Sequence, residues 1–523
     1  MGGENPITGA EYMVPSRDIL RPEVHADGFE TAGGGLNLSA DVVIVGAGPG
    51  GGAVARVLAE GGLSVIVLEE GPKKSNFRPN YAHTARYHMQ ESGSMVARGS
   101  AMMPIAAGRG VGGGTLVNSA LSFRAPRYIL DDWAERLGAD HLSYDQMLPV
   151  YDEVCQIIGV GMTRDENAGE NNNLIVRGIK KLGYEGGLAP RSTPGCVGCG
   201  VCYFGCPSRG KGSTNLTYFP RAADAGAKIQ AEVRVSEVLV EGGRAVGVRG
   251  FAVHPDTGAR GGEVVVRAPR VVLSAGAVGT PRLLWHSGLA ARLGPQVGEG
   301  LHVHPGSTVI ALCDHPVQMW RGATQGAYFT HPDLPGMLPH TFSAPPEACL
   351  VAAGLIGDRW QEGLAMLPNL CGMLVMISDK GSGRVRAFSD GRADLVYNFT
   401  DGDVDLIKKG LVMVAEVLQA GGAGRLFVPV HGVPECDTPG QLADALADRT
   451  IKDFTLYAAH PMSTCRMSND IDSGVIGPDG QSHGLPGLYI ADASVFPTSL
   501  GVNPQLTTMA MATIIGRQIL AQG

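Results

Sequence analysis

Long apolar runs are missing from this chain of 523 residues. No stretch reaches the roughly 18 uninterrupted apolar residues that a membrane-crossing helix needs. A dominant charge sign is missing too: 42 basic residues face 50 acidic ones, for a net charge of −8. No strong basic block stands out, which argues against nucleic-acid binding and against a polybasic membrane patch. The first forty residues lack the charged-then-apolar pattern of a secretory signal. There is no internal repeat and no low-complexity tract, and the 76 glycines follow no three-residue period, so a collagen-like chain is excluded. The ten cysteines are not spread as evenly spaced pairs. Four are clustered, which fits a reducing compartment and metal or redox use better than disulfide staples. The expectation is a soluble cytoplasmic protein. What is present is globular: 44% hydrophobic and 18% charged residues, ample for a large core.

The N-terminal stretch, residues 1–40, is punctuated by Gly and Pro and reads as an arm. From Asp41 the pattern sharpens. Residues 41–45 are a short, nearly continuous apolar run, as expected of a buried parallel strand. Gly46-Ala47-Gly48-Pro49-Gly50-Gly51 follows, then a helical stretch at 53–60 closed by Gly61-Gly62, a pair suited to a left-handed cap. Residues 64–68 form a second strand with Glu69 at its end. Residues 229–274 alternate strands and turns, and a last strand at 488–490 precedes a final helix after Pro504. Residues 310–455 are richer in Met, Pro and Trp and less regular, as if inserted into the rest.

Gly46, Gly48 and Gly51 give G-x-G-x-x-G between strand and helix, with Glu69 23 residues beyond the first glycine. The first glycine permits the tight turn, the second lets backbone approach a pyrophosphate, and the third lets helix pack on strand. The helix start offers free N–H groups to phosphates, and Glu69 is placed to accept hydrogen bonds from an adenosine ribose. In a chain this rich in glycine the triplet alone could be an ordinary turn; its strand–loop–helix–strand–Glu setting makes it a dinucleotide fingerprint. The segment 487–494 favours FAD over NAD, because FAD proteins bring a late strand ending in Asp, here Asp492, back to the ribityl chain. A helix starting at Asn503-Pro504 would aim its positive end at the flavin.

The run Cys196, Cys199, Cys202, Cys206, Pro207 is spaced C-x2-C-x2-C-x3-C-P, the bacterial ferredoxin pattern. In two-cluster ferredoxins the fourth cysteine serves the other cluster, and this chain has one run. The alternatives are an iron–sulfur cluster on these four residues, a structural loop of thiols or disulfides, and another metal. The remaining six cysteines are scattered and read as ordinary buried residues.

Together these segments resemble the glucose–methanol–choline (GMC) oxidoreductases over most of the chain. They are the first glycine loop with Glu69; the second glycine loop at 108–118; residues 276–284 with Ser287-Gly288-Leu289; Val297-Gly298, Leu301 and His304-Pro305; residues 460–467; and Val502-Asn503-Pro504. The second glycine loop and Val502-Asn503-Pro504 are most similar to the cholesterol oxidase branch. The cysteine run with residues 210–214 is most similar to the long-chain alcohol oxidase branch. The resemblance implies that substrate hydride passes to flavin N5 while the hydroxyl proton goes to a histidine, here His460, partnered by Asn503. It places Arg109, Gly114, Asn118, Val235, Asp492 and Ala493 at the cofactor with Gly46, Gly48, Gly51, Glu69 and Asn503. Where covalent members carry a linking histidine this chain has Val117, which implies non-covalent FAD. An imidazole titrates near neutrality and can take such a proton, and Asn503 also suits the cap of the last helix.

The implied fold is α/β with an α+β insert: a Rossmann-like FAD domain and a substrate domain built on an antiparallel sheet. The expected division is an arm at 1–40; FAD domain at 41–135, 190–309 and 456–523, with the cysteine loop at 194–214; and substrate domain at 136–189 and 310–455. Met319, Trp320, Tyr328, Phe329, Met337, Trp360, Met366, Met373 and Met376 suit either an adaptable apolar pocket or plain core. The implied reaction is oxidation of a hydrophobic alcohol, with oxygen, a quinone or a redox protein as acceptor. Two alternatives stand beside it: an FAD-containing lyase of the same fold, and an electron-transfer or redox subunit using the cysteine loop.

Overall fold

A computed structural model describes residues 16–522. The strand Val42–Val45 is fully buried and sits in the middle of a five-stranded sheet. Its order is Leu488–Ile490, Arg270–Leu273, Val42–Val45, Val65–Leu68, Lys228–Gln230, with every pairing parallel. β-Branched residues buried on both faces are what such a sheet requires. The helices Pro49–Glu60 and Gln505–Ala521 pack together; a Cβ added at Gly516 would stand 3.1 Å from Val57. Gly62, at φ +87, reverses the chain after the first of them. Of the expected arm, residues 1–15 lie outside the described residues. The rest is folded in: Leu36–Ser39 pairs in parallel with Arg260–Arg267 at one edge of a four-stranded sheet.

The region expected as an insert carries a six-stranded antiparallel sheet in the order Leu426–Phe427, Gly306–Leu312, Leu370–Met376, His340–Thr341, Ala327–Thr330, Glu185–Leu188. Helix Asp401–Ala420 backs it and is opened by a capping box, with the Thr400 hydroxyl on Asp403 N–H and the Asp403 carboxylate on Thr400 N–H. Thr308 pairs with Leu374 and Gly306 with Met376, and side-chain alternation turns these four positions to one face. That face lines the cavity described below. The fold is therefore mixed α/β with a Rossmann-like sheet and an antiparallel sheet, each over its own hydrophobic core. Among the described residues no helix is long and apolar enough to cross a membrane.

Candidate functional site

A cavity of about 1650 Å³ runs from the carboxyl ends of the parallel strands to the antiparallel sheet. Its floor is the first glycine loop. A Cβ on Gly46 would stand 2.3 Å from Ser274 O, one on Gly50 1.9 Å from Ala491 O, and one on Gly51 2.0 Å from Gly46 O. A Cβ on Gly48 would meet nothing within 4 Å, because this glycine opens onto the cavity. No side chain caps the first turn of the helix that follows, so its N–H groups are available to an anion. The second glycine loop lies against the first: Gly112 N–H donates to Ala47 O at 2.8 Å, and a Cβ on Gly113 would stand 2.6 Å from Gly48 Cα. Gly114 again faces open space.

Buried Glu69 holds these loops together. Its carboxylate accepts from Ala47 N–H (2.9 Å), Gly71 N–H (2.8 Å) and Gly110 N–H (3.0 Å), and burial pushes its pKa up. It also lines the cavity, so loop bracing adds to the ribose contact expected of it. Asp492 has a similar place: it accepts from Ser494 N–H (2.8 Å), Gly276 N–H (2.9 Å) and the Thr280 hydroxyl (2.6 Å), and burial raises it as well. Arg109, Val235, Ala493 and Asn118 line the same cavity. Buried Arg109 Nε has no partner within hydrogen-bond distance. The open faces of Gly48, Gly114 and Gly276, an uncapped helix start and an orphaned guanidinium nitrogen fit the pyrophosphate and ribose of FAD.

At the far end of this groove His460 and Asn503 meet, with Nε2 and Nδ2 3.3 Å apart. Both line the cavity, and buried Asn503 Oδ1 has no partner. Asn503 does not cap the last helix: Pro504 is the N-cap residue and no side chain caps it. Burial drives the His460 imidazole well below its ordinary pKa, and neighbouring His304 and His340 push the same way while Asp379 opposes them. His304, whose Nδ1 lies 3.3 Å from His460 Nδ1, carries no role in the sequence reading. Nor does Asp379, because the groups around it come from segments up to 120 residues apart. The one signal in the sequence is His304-Pro305 itself, one of the family-like segments.

Two groups of residues left with alternatives by the sequence are placed by the fold. Of the nine Met and aromatic residues suggested for the pocket, Trp360 and Met376 line the cavity. Met319, Phe329, Met337 and Met373 belong to the core under the antiparallel sheet, where strand alternation turns Met373 away from Leu374 and Met376. The four clustered cysteines are neighbours, since burial and then the charges of Cys202, Cys206 and Cys196 raise the Cys199 thiol; among the described residues no group of three or more His, Cys, Asp or Glu side chains is placed to hold a metal ion. The loop is instead folded against residues 320–322, where a Cβ on Gly200 would stand 1.8 Å from Trp320 O. The sulfurs take separate partners: Cys196 accepts from Gly198 N–H (3.4 Å), Cys206 from Gly210 N–H (3.3 Å) and Cys202 from Arg191 Nη2 (3.3 Å), while Cys199 is exposed. Burial raises the Cys202 thiol, but Arg191 and Lys211 outweigh it and leave it below its ordinary range. Lys211 is buried, held down to about 8, and donates to Leu116 O, Asn118 O and Cys202 O, tying this loop to the second glycine loop.

Comparison with known proteins bears on the chain as a whole. Family models described as GMC oxidoreductase match residues 85–306 and 379–512. An uncharacterized GMC-type oxidoreductase of Mycobacterium tuberculosis is 33% identical over 510 residues, covering 97% of this chain and 80% of the relative. A long-chain-alcohol oxidase of Arabidopsis thaliana is 26% identical, over 92% of this chain and 67% of its own. Among solved structures, a formate oxidase of Aspergillus oryzae superposes with a TM-score of 0.69 at 18% identity, covering 93% of this chain and 99% of that one.

Proposed function

This chain belongs to the GMC oxidoreductase family, and on that premise we propose that it oxidises the CH–OH group of a hydrophobic alcohol to the carbonyl, with His460 taking the hydroxyl proton. It is a flavoprotein oxidoreductase; bound FAD would supply the hydride acceptor. The observation that carries the reading is the His460–Asn503 pair at the cavity wall, 3.3 Å apart, at the end of a groove built from two glycine loops. Asn503 orients the alcohol oxygen and His460 holds the proton, and pinning of this kind supplies much of the rate for a C–H cleavage. With its pKa pushed down, His460 is already neutral at pH 7. The apolar wall of Phe342, Leu374, Met376, Val351 and Trp360 supports an apolar substrate. Val117, at the position where covalent members carry histidine, supports non-covalent FAD. Residues 41–135, 190–309 and 456–523 would form the FAD domain and 136–189 with 310–455 the substrate domain. For the cysteine run we infer a metal-free loop in which Cys202 balances Arg191 and Lys211; iron and acid-labile sulfide in anaerobically purified protein would refute this. The reaction is tested by anaerobic addition of a panel of alcohols: bleaching of the flavin by apolar members supports it, and no bleaching by any of them counts against it.

One observation favours a second reading of His460. Gly501 N–H donates to His304 Nε2 at 2.9 Å, so neutral His304 carries its proton on Nδ1 and donates to His460 Nδ1. His460 then carries its own proton on Nε2, and a half-turn of the Asn503 amide brings unpartnered Oδ1 to it. In that polarity His460 steadies an alcohol that has already lost its proton. A bleaching rate that levels off above pH 6.5 marks the proton acceptor; a rate that climbs steadily to pH 10 marks the donor.

A further inference from the structure

Behind His460 lies a carboxylate that the reaction above does not use. Asp379 is 1% exposed, and its hydrogen bonds reach three separate segments. Oδ2 accepts from the Tyr397 hydroxyl (2.7 Å) and Val303 N–H (3.1 Å), and stands 3.3 Å from His302 Nδ1. Oδ1 accepts from the Ser499 hydroxyl (2.7 Å) and His304 N–H (3.3 Å). Two of these bonds grip the turn that presents His304, whose φ of +48 is a left-handed conformation costly for a side chain with a Cβ. The Ser499 bond grips the turn that carries Gly501, the amide on His304 Nε2, and Asn503 two residues on. Both members of the His460–Asn503 pair are thus tied to one buried anion.

We propose that Asp379 is a positioning residue for His460: it fixes His304 and the 499–501 turn behind the ring, and it supplies the buried negative charge against which His460 takes on a proton. This rests on the proton-accepting reading of His460. The charged and titratable groups facing His460 are His304 and His340, which disfavour its cation, and Asp379, which favours it. Around Asp379 stand His302, His304 and Tyr397, with Asp403 beyond the tyrosine. A proton arriving on buried His460 creates a cation beside two other imidazoles, and Asp379 is the opposing charge.

The test is the pH dependence of anaerobic flavin bleaching by an alcohol, with a histidine NMR titration of the oxidised holoenzyme alongside. Asp379→Asn keeps the shape and removes the charge. It should retain bound FAD, slow bleaching about tenfold at pH 7, and move the acid limb and the His460 titration down by about one pH unit. Tyr397→Phe removes a neutral donor and leaves the charge less quenched, so both should move up by a few tenths of a unit. A merely structural role would not give shifts of opposite sign. Asp379→Asn with FAD bound and an unmoved limb, or with faster bleaching, overturns the proposal. If that variant does not fold, a limb that is unmoved or lowered in Tyr397→Phe overturns it. His460→Ala separates this failure from that of the base itself: normal bleaching there removes the reading on which the proposal rests, whereas a dead His460→Ala beside a normal Asp379→Asn removes the proposal alone.

Discussion

Acidification should unfold this protein well above the titration range of its carboxylates, because several histidines are buried in neutral form. His88, His304 and His340 are 1%, 2% and 2% exposed, and burial lowers each to about 4. In the unfolded chain the same side chains titrate near 6.5. Between about pH 6.5 and 4 the unfolded state therefore binds protons that the folded state does not. Their stabilising effect is complete above pH 6.5 and is lost as the pH falls through 4. A displacement of about 2.5 units is worth roughly 3 kcal/mol per histidine, or on the order of 10 kcal/mol for the three. Half of that would rival the total stability of a typical domain, about 5–15 kcal/mol. Denaturant unfolding of the FAD-saturated protein from pH 7.5 to 4.5 should show stability falling by up to about 4 kcal/mol per pH unit, three protons' worth. His88 is the cleanest single site, since no carboxylate is among the groups that act on it and the ring packs against Phe77. His88→Leu should remove one proton from the linkage and flatten the slope by about 1.4 kcal/mol per pH unit. An unchanged slope in that variant, or an NMR titration placing His88 near 6.5 in the folded protein, would refute the reasoning.

Other predictions are local. Gly50→Ala sets a methyl 1.9 Å from Ala491 O, so the variant should purify without FAD, as its visible spectrum will report. Lys211→Met strands the carbonyls of Leu116, Asn118 and Cys202 and should lower stability by about 2–4 kcal/mol in denaturant unfolding; a loss under 1 would deny the loop tie. Trp360→Ala opens the apolar wall and should raise KM for the best apolar alcohol about tenfold with kcat little changed; an unaltered KM would move the substrate elsewhere in the cavity.

The dinucleotide-type half was legible because its signals are local. A β-branched run, a glycine loop, a helix and a strand ending in Glu69 follow one another within thirty residues, and each has its own chemical reason. His460 and Asn503 were legible through the short segments that contain them. What was hidden depends on long-range meeting. Asp379 acquires meaning from Tyr397, Ser499 and the 302–304 turn, which no spacing rule connects. The cysteine spacing alone does not choose between a cluster and a structural loop, because the loop's path depends on distant residues: Gly200 lies against Trp320, Gly198 O accepts from Gly322 N–H, and Gly205 lies against Phe77, all three glycines at positive φ. The Met and aromatic residues of the insert were readable as apolar but not as cavity or core, since that choice rests on which face of each strand they occupy.

The account's central claim is tested most directly by anaerobic addition of an apolar alcohol to FAD-loaded His460→Ala. It predicts an intact oxidised flavin spectrum before addition and reduction at least about a hundredfold slower than in the unaltered protein. Reduction at the unaltered rate would contradict it.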